Sequence, residues 1–153
     1  MNYTLEEFDN LKTKVLKYIL YKKRTEQEIK QKFSKEDNQI IEEIIEYLKE
    51  AGYINDEEYI SRAINEYIAL KNLSIAEIKY KLLSKGINKD LLDNYIDLHY
   101  ENMVKYELNS IKKILLKKEN QLEKDEIVQF LYKKGYKKDL INQAINERYN
   151  EDE

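Results

Sequence analysis

The chain has 153 residues, 42% hydrophobic and 37% charged, with three glycines, no proline, no cysteine and a formal net charge of −3. The lack of cysteine excludes a disulfide framework and any thiolate nucleophile or metal site, and fits a reducing cytosol. The small acidic excess argues against non-specific coating of nucleic acid, which rests on an excess of Lys and Arg over phosphates.

The opening MNYTLEEFDN is acidic and lacks the basic-then-apolar order of a signal peptide. No apolar run reaches the roughly 18 to 20 residues that span a bilayer, so the expectation is a soluble cytoplasmic protein without membrane contact. Over 5–21, Leu5, Phe8, Leu11, Val15, Tyr18 and Ile19 recur at helical spacing. Thr25 with Glu28 three residues on forms a capping box, predicting a short second helix over about 25–34. Ile40, Ile41, Ile44, Ile45 and Leu48 make the stripe of a third, which Gly52 ends by tolerating the left-handed conformation. Asn55 with Glu58 signals the start of a fourth helix, whose buried side carries Tyr59, Ile60, Ala63, Ile64, Tyr67 and Ile68. Ser74 and Glu77 repeat the capping box for a fifth helix, which Gly86 stops, and Asn88 caps a sixth with Leu91, Leu92, Tyr95 and Ile96. No breaker separates Asp97 from Lys118, so the sixth and seventh helices either bend near Glu101 to Val104 or run on as one. The last trio carries Leu108, Ile111, Ile114 and Leu115, then Ile127, Phe130 and Leu131, then Leu140, Ile141, Ala144 and Ile145.

The order long, short, medium recurs, and so do the residues. Glu77, Ile78, Leu82, Gly86, Asp90, Leu91 and Leu92 reappear forty-nine residues on as Glu126, Ile127, Leu131, Gly135, Asp139, Leu140 and Ile141. Forty-nine residues back, Thr25, Glu28, Ile29 and Phe33 match Ser74, Glu77, Ile78 and Leu82. A repeat at this period specifies an array. The expected fold is all-α, three tandem three-helix repeats over 1–54, 55–104 and 105–153, forming an elongated, curved molecule.

Catalytic chemistry finds little footing. His99 is the sole histidine, so neither a triad nor a His-based metal cluster can be assembled, and it reads as an ordinary helix residue, on the surface or partly buried. The carboxylates mostly sit where lysine lies three or four residues away, as Glu46 with Lys49 and Glu77 with Lys81. No Asp-rich loop or glycine-rich phosphate cradle accompanies them, so no enzyme activity and no cofactor is expected.

Binding signals are stronger. Residues 1–58 hold ten basic and fourteen acidic residues, 59–108 seven of each, and 109–153 ten basic and nine acidic. Basic clusters fall at Lys22, Lys23 and Arg24, at Lys112, Lys113, Lys117 and Lys118, and at Lys133, Lys134, Lys137 and Lys138. They are either solvated faces balancing nearby Glu or one surface that meets phosphate or an acidic partner protein. Tyr18 and Tyr67 occupy equivalent positions on buried sides, whereas Tyr21, Tyr80 and Tyr132 fall off the apolar stripes and suit a partner surface.

These elements resemble the RecX family of bacterial recombination regulators. The likeness rests on Gly52, Tyr53, Ile54, Asn55, Asp56, Tyr59 and Ile60, then Ile78, Leu82, Lys85, Gly86 and Ile87, inside a threefold helical repeat, and covers roughly residues 12–148. The resemblance implies a monomer that docks in the groove of the RecA–single-stranded-DNA filament and modulates, by inhibition, RecA ATPase and strand exchange in DNA repair and the SOS response. Arg24, Arg62 and Arg148 are the only arginines, where many relatives are Arg-rich, so only weak direct contact with single-stranded DNA is expected. Leu73 and Ser74 stand where many relatives have Gly, and the start corresponds to a form shorter than relatives with an N-terminal extension. Charge and repeat position, rather than any motif, nominate Arg24, Arg62, Lys71, Lys112, Lys113, Lys117, Lys133 and Lys134 as filament or DNA contacts. The alternatives are a stand-alone DNA-binding module of helix-turn-helix type and a helical-repeat adaptor for another protein.

Overall fold

The computed structural model describes residues 3–150, and among them the regular structure is entirely helical. The helices are α1 (Leu5–Tyr21), α2 (Glu26–Lys32), α3 (Asn38–Glu50), α4 (Asp56–Leu70), α5 (Ile75–Ser84), α6 (Lys89–Leu98), α7 (Tyr100–Lys118), α8 (Lys124–Lys133) and α9 (Lys138–Tyr149). None is long and apolar enough to cross a membrane.

Local chemistry starts most of them. Thr25 and Ser74 accept the N–H groups of Glu28 and Glu77, and each glutamate returns a bond to its partner's backbone N–H at 3.0 Å. These boxes satisfy orphan donors at helix starts. Asn55 and Asn88 cap α4 and α6 as the sequence predicts, accepting from Glu58 and Leu91. Gly52, Gly86 and Gly135 all take positive φ after α3, α5 and α8.

The boundary of α6 and α7 matches neither expectation, a bend near Glu101 to Val104 or one continuous helix. The break falls earlier, at His99, which ends one helix and precedes the next. Its Nδ1 lies 2.8 Å from the Tyr95 carbonyl, and its ring stacks on that tyrosine with centroids 4.1 Å apart. The imidazole adds a second donor to a carbonyl that already accepts the His99 N–H at 3.1 Å, and the chain turns here without glycine or proline.

Burial divides the hydrophobic residues into three clusters rather than one. The first gathers Leu11, Val15, Ile29, Ile44 and Leu48 from α1 to α3, with Ile54 beyond them. The second gathers Ile60, Ile64, Ile78, Leu82 and Leu92 from α4 to α6, joined by Met103 and Tyr106 from the start of α7. The third gathers Ile111, Leu115, Ile127, Leu131 and Ile141 from α7 to α9. Each cluster is small, which leaves much of the stability to contacts between neighbours. Tyr18 and Tyr67 are half-buried against the first and second clusters. Of the two predicted surface ion pairs, Glu46 to Lys49 forms at 3.6 Å, whereas Glu77 is drawn into its capping box and faces Lys134 at 3.8 Å instead.

The glycines separate two constraints. A Cβ on Gly52 would meet open space, while one on Gly86 would collide with the side chain of Gln27 in α2. Gly52→Ala should therefore cost about 1–2 kcal/mol, the left-handed penalty alone. Gly86→Ala should cost a further 1–3 kcal/mol or so from the forced contact. Urea denaturation of the two variants checks this order.

Candidate partner-binding surface at the unit junctions

The junction between the first and second helical trios is built from the capping boxes outward. Thr25, fully buried, uses its oxygen to cap α2 and donates its own proton to the carbonyl of Lys85, sixty residues away, at 2.7 Å. At the next junction Ser74, equally buried, donates to the carbonyl of Lys134, again across sixty residues and at 2.7 Å. Gly86 and Gly135 follow those carbonyls, and a Cβ on Gly135 would come 2.9 Å from the Cβ of Ala76. The glycines thus permit the approach that the hydroxyls hold.

A carboxylate completes each junction. The first N–H of α2, on Glu26, donates to Asp56 at 3.2 Å, and the first N–H of α5, on Ile75, donates to Glu107 at 3.4 Å. Both acids reach back from the first helix of the following trio to the positive end of a short helix. Burial pushes both carboxyls above the ordinary range, outweighing the N–H groups that favour the charged form.

Beyond this shared frame the junctions differ. At the second, α4 ends with Lys71 in the left-handed conformation, φ 52°. Side chains of the third trio take the carbonyls around that end. Lys113 Nζ reaches Leu70 at 3.2 Å, Ser110 reaches Lys71 at 3.1 Å, Lys134 Nζ reaches Asn72 at 3.3 Å and the Tyr106 hydroxyl reaches Leu73 at 2.6 Å. Ser110 also bonds the hydroxyl of Tyr136, whose buried phenol is pushed up to about 12. At the first junction the chain leaves α1 through an extended Lys22, and a groove of about 370 Å³ opens there, lined by Lys22, Lys23, Tyr59, Arg62, Tyr67 and Lys85 among others.

The eight nominated residues do not share one surface. Arg24 and Arg62 line one small pocket at the first junction, and the Arg24 guanidinium lies 4.1 Å from the centre of the Tyr18 ring. The Lys71 carbonyl and the Lys113 and Lys134 ammonium groups all lie at the second junction. Lys117 is exposed one helical turn beyond Lys113. Lys112 turns towards α9, where it pairs with Glu147 at 2.7 Å, and Lys133 lines a shallow hollow of the third trio together with Asp125, Glu126 and Phe130. Lys22, Lys23 and Lys85 line the first groove although the sequence did not place them in the contact set. The signal was present: Lys85 stands forty-nine residues before Lys134, and Arg62 fifty-one before Lys113. Tyr21, Tyr80 and Tyr132 are 86%, 75% and 61% exposed, off every core. Among the described residues no group of three or more His, Cys, Asp or Glu could hold a metal.

The fold and its junctions define an all-helical protein assembled by docking small bundles in series. Its backbone matches the crystal structure of RecX from Lactobacillus salivarius with a TM-score of 0.79, at 23% identity and covering 94% of this chain and 97% of that one. A second structure of regulatory protein RecX matches at 0.75, with 21% identity, over 91% and 73% of the two chains. In sequence, regulatory protein RecX of Clostridioides difficile is 30% identical over 97% of this chain and 72% of its own length. That of Clostridium perfringens is 33% identical, over 92% and 69%. The chain belongs to the RecX family of regulatory proteins. It spans about half the length of its relative from Staphylococcus carnosus, 32% identical over 85% of this chain and 51% of the other. No protein-family model matches it.

Buried Glu107 gives the second junction a pH dependence of definite sign. With the folded value raised above the usual one near 4.5, Glu107 holds more protons folded than unfolded between the two values. Stability therefore falls as pH rises through that window, and the loss persists at neutral pH. Glu107→Gln keeps an acceptor for the Ile75 N–H without the charge. Urea unfolding at a series of pH values should show a shallower decline above pH 4.5 in this variant.

Proposed function

We propose that the chain regulates homologous recombination and DNA repair by binding the RecA–single-stranded-DNA filament, and that it inhibits RecA ATPase and strand exchange. The observation that carries the reading is the junction made twice. Thr25 to Lys85 and Ser74 to Lys134 are the same bond at the same sequence separation, so each unit is set on the last by one rule. Units so related, 1–54, 55–104 and 105–153, form an elongated, curved array whose features recur at intervals, suited to a partner that is itself a row of identical protomers. Membership of a family of regulatory proteins supports the assignment. The protein acts as a cytoplasmic monomer and performs no catalysis of its own.

In this reading the contacts come from the basic residues at the junctions and from Lys117, with the exposed rings of Tyr21, Tyr80 and Tyr132 as apolar anchors. Direct contact with single-stranded DNA is secondary, since the net charge is −3.

Titrating the chain into a single-stranded-DNA-dependent RecA ATPase assay tests the proposal. The rate should fall as the chain approaches stoichiometry with RecA, and an unchanged rate at excess would remove the idea. Charge reversal of Lys113 and Lys117 together should weaken filament binding about tenfold, roughly 1.4 kcal/mol. Co-sedimentation with filaments reads that loss directly.

A further inference from the structure

The two junctions share a frame but spend their cations differently. Lys113 and Lys134 at the second are bonded to the carbonyls of Leu70 and Asn72. Their counterparts at the first, Arg62 and Lys85, make no such bond among the described residues, because α1 leaves through extended backbone where α4 leaves through a left-handed residue. Lys23 reaches Glu58 at 3.7 Å, but among the described residues neither Lys22 nor Arg62 has a carboxylate within ion-pair distance. Nearby, the Nε of Arg24 is buried without a hydrogen-bond partner among the described residues. Even with Glu66 in its wall, the groove's lining holds more cations than carboxylates. The Tyr59 hydroxyl beside Lys85 raises that ammonium further, so it stays charged at any physiological pH.

We propose that this first-junction groove binds a short acidic segment of a protein, a run of Asp or Glu carboxylates laid across Lys22, Arg62 and Lys85. Two observations favour carboxylates over a nucleic-acid strand. The rings that reach the groove are committed, Tyr59 and Tyr67 to the second core, with the Lys85 ammonium 5.9 Å from the Tyr59 ring centre. They offer no free stacking platform of the kind that holds single-stranded bases. The groove also lies beside the acidic first trio, in a chain of net charge −3. A long polyanion would meet that repulsion along its length, whereas a short segment senses mainly charges within the Debye length of about 8 Å. The Lys22 and Lys85 ammonium groups, at the ends of α1 and α5, and the Arg62 guanidinium, midway along α4, suit separate carboxylates, with Arg62 able to engage one through two bonds. The site stands apart from the RecA reading, since its ligand is defined by chemistry alone and its test contains no RecA.

The test is fluorescence anisotropy of the intact chain with labelled hexaglutamate, beside labelled hexaglutamine and a labelled oligothymidylate of the same charge. Hexaglutamate should bind and hexaglutamine should not. Arg62→Glu, and separately Lys22→Glu with Lys85→Glu, should weaken binding about tenfold or more, and Arg62→Gln by several-fold. Arg62 is exposed, so its variants should keep the parent's melting temperature. Lys133→Glu with Lys138→Glu, an equal change of charge away from the groove, should alter affinity less than about twofold. Failure of hexaglutamate to bind, or equal losses in groove and control variants, overturns the proposal. Tighter binding of oligothymidylate that depends on Lys22, Arg62 and Lys85 also overturns it, making the groove a nucleic-acid site.

Discussion

Thr25 and Ser74 each use one hydroxyl twice. The oxygen accepts the N–H of Glu28 or Glu77 and so starts a short helix, while the proton goes to the carbonyl of Lys85 or Lys134 at the end of the corresponding helix in the next trio. Both hydroxyls are fully buried, where an unpaired polar group costs about 1–3 kcal/mol. The two roles therefore cannot be separated. If the next trio moves away, a buried donor and a buried carbonyl lose their partners together. Each small core is in this way tied to its neighbour through a bond of 2.7 Å.

That constraint explains residues whose roles are otherwise obscure. Gly86 and Gly135 sit after the accepting carbonyls, where a side chain would press on Gln27 or Ala76. Asp56 stays half-buried and Glu107 buried although burial raises their proton affinity, because each takes the first N–H of the short helix that the hydroxyl caps. The junctions are alike in these four parts and unlike in their outer rims. One rim is sealed by lysines, hydroxyls and the Tyr136 phenol, and the other is left open with its cations exposed. A serial architecture thus carries two chemically distinct surfaces on one backbone plan.

Much of this was legible in the sequence, for local reasons. Capping boxes, glycine stops and apolar stripes are read within one turn of helix, so the order and type of the helices followed from Thr25, Ser74, Gly52 and their neighbours. The break at His99 escaped because no breaker residue marks it; the ring adds only a contact to a carbonyl four residues back that the His99 N–H also bonds. The junction bonds escaped because the cap and its second partner are sixty residues apart. Charge alone nominated Lys112 and Lys134 together, yet one turns to Glu147 and the other to the Asn72 carbonyl. Only the repeat offset, forty-nine for the short helices and fifty-one for Arg62 and Lys113, reveals which cations are equivalent.

The shared hydroxyl is tested most directly by comparing Ser74→Ala with Asn88→Ala in urea denaturation. Both remove the side-chain acceptor at a helix start, but Asn88 is exposed and among the described residues its side chain bonds only within its own helix, to the Leu91 N–H. Loss of a cap alone costs about 1 kcal/mol, which is the expectation for Asn88→Ala. Ser74→Ala should cost 1–3 kcal/mol or so beyond that, because the Lys134 carbonyl loses its buried donor. Equal costs for the two variants would contradict the account, since the bond between trios would then contribute nothing to holding them together.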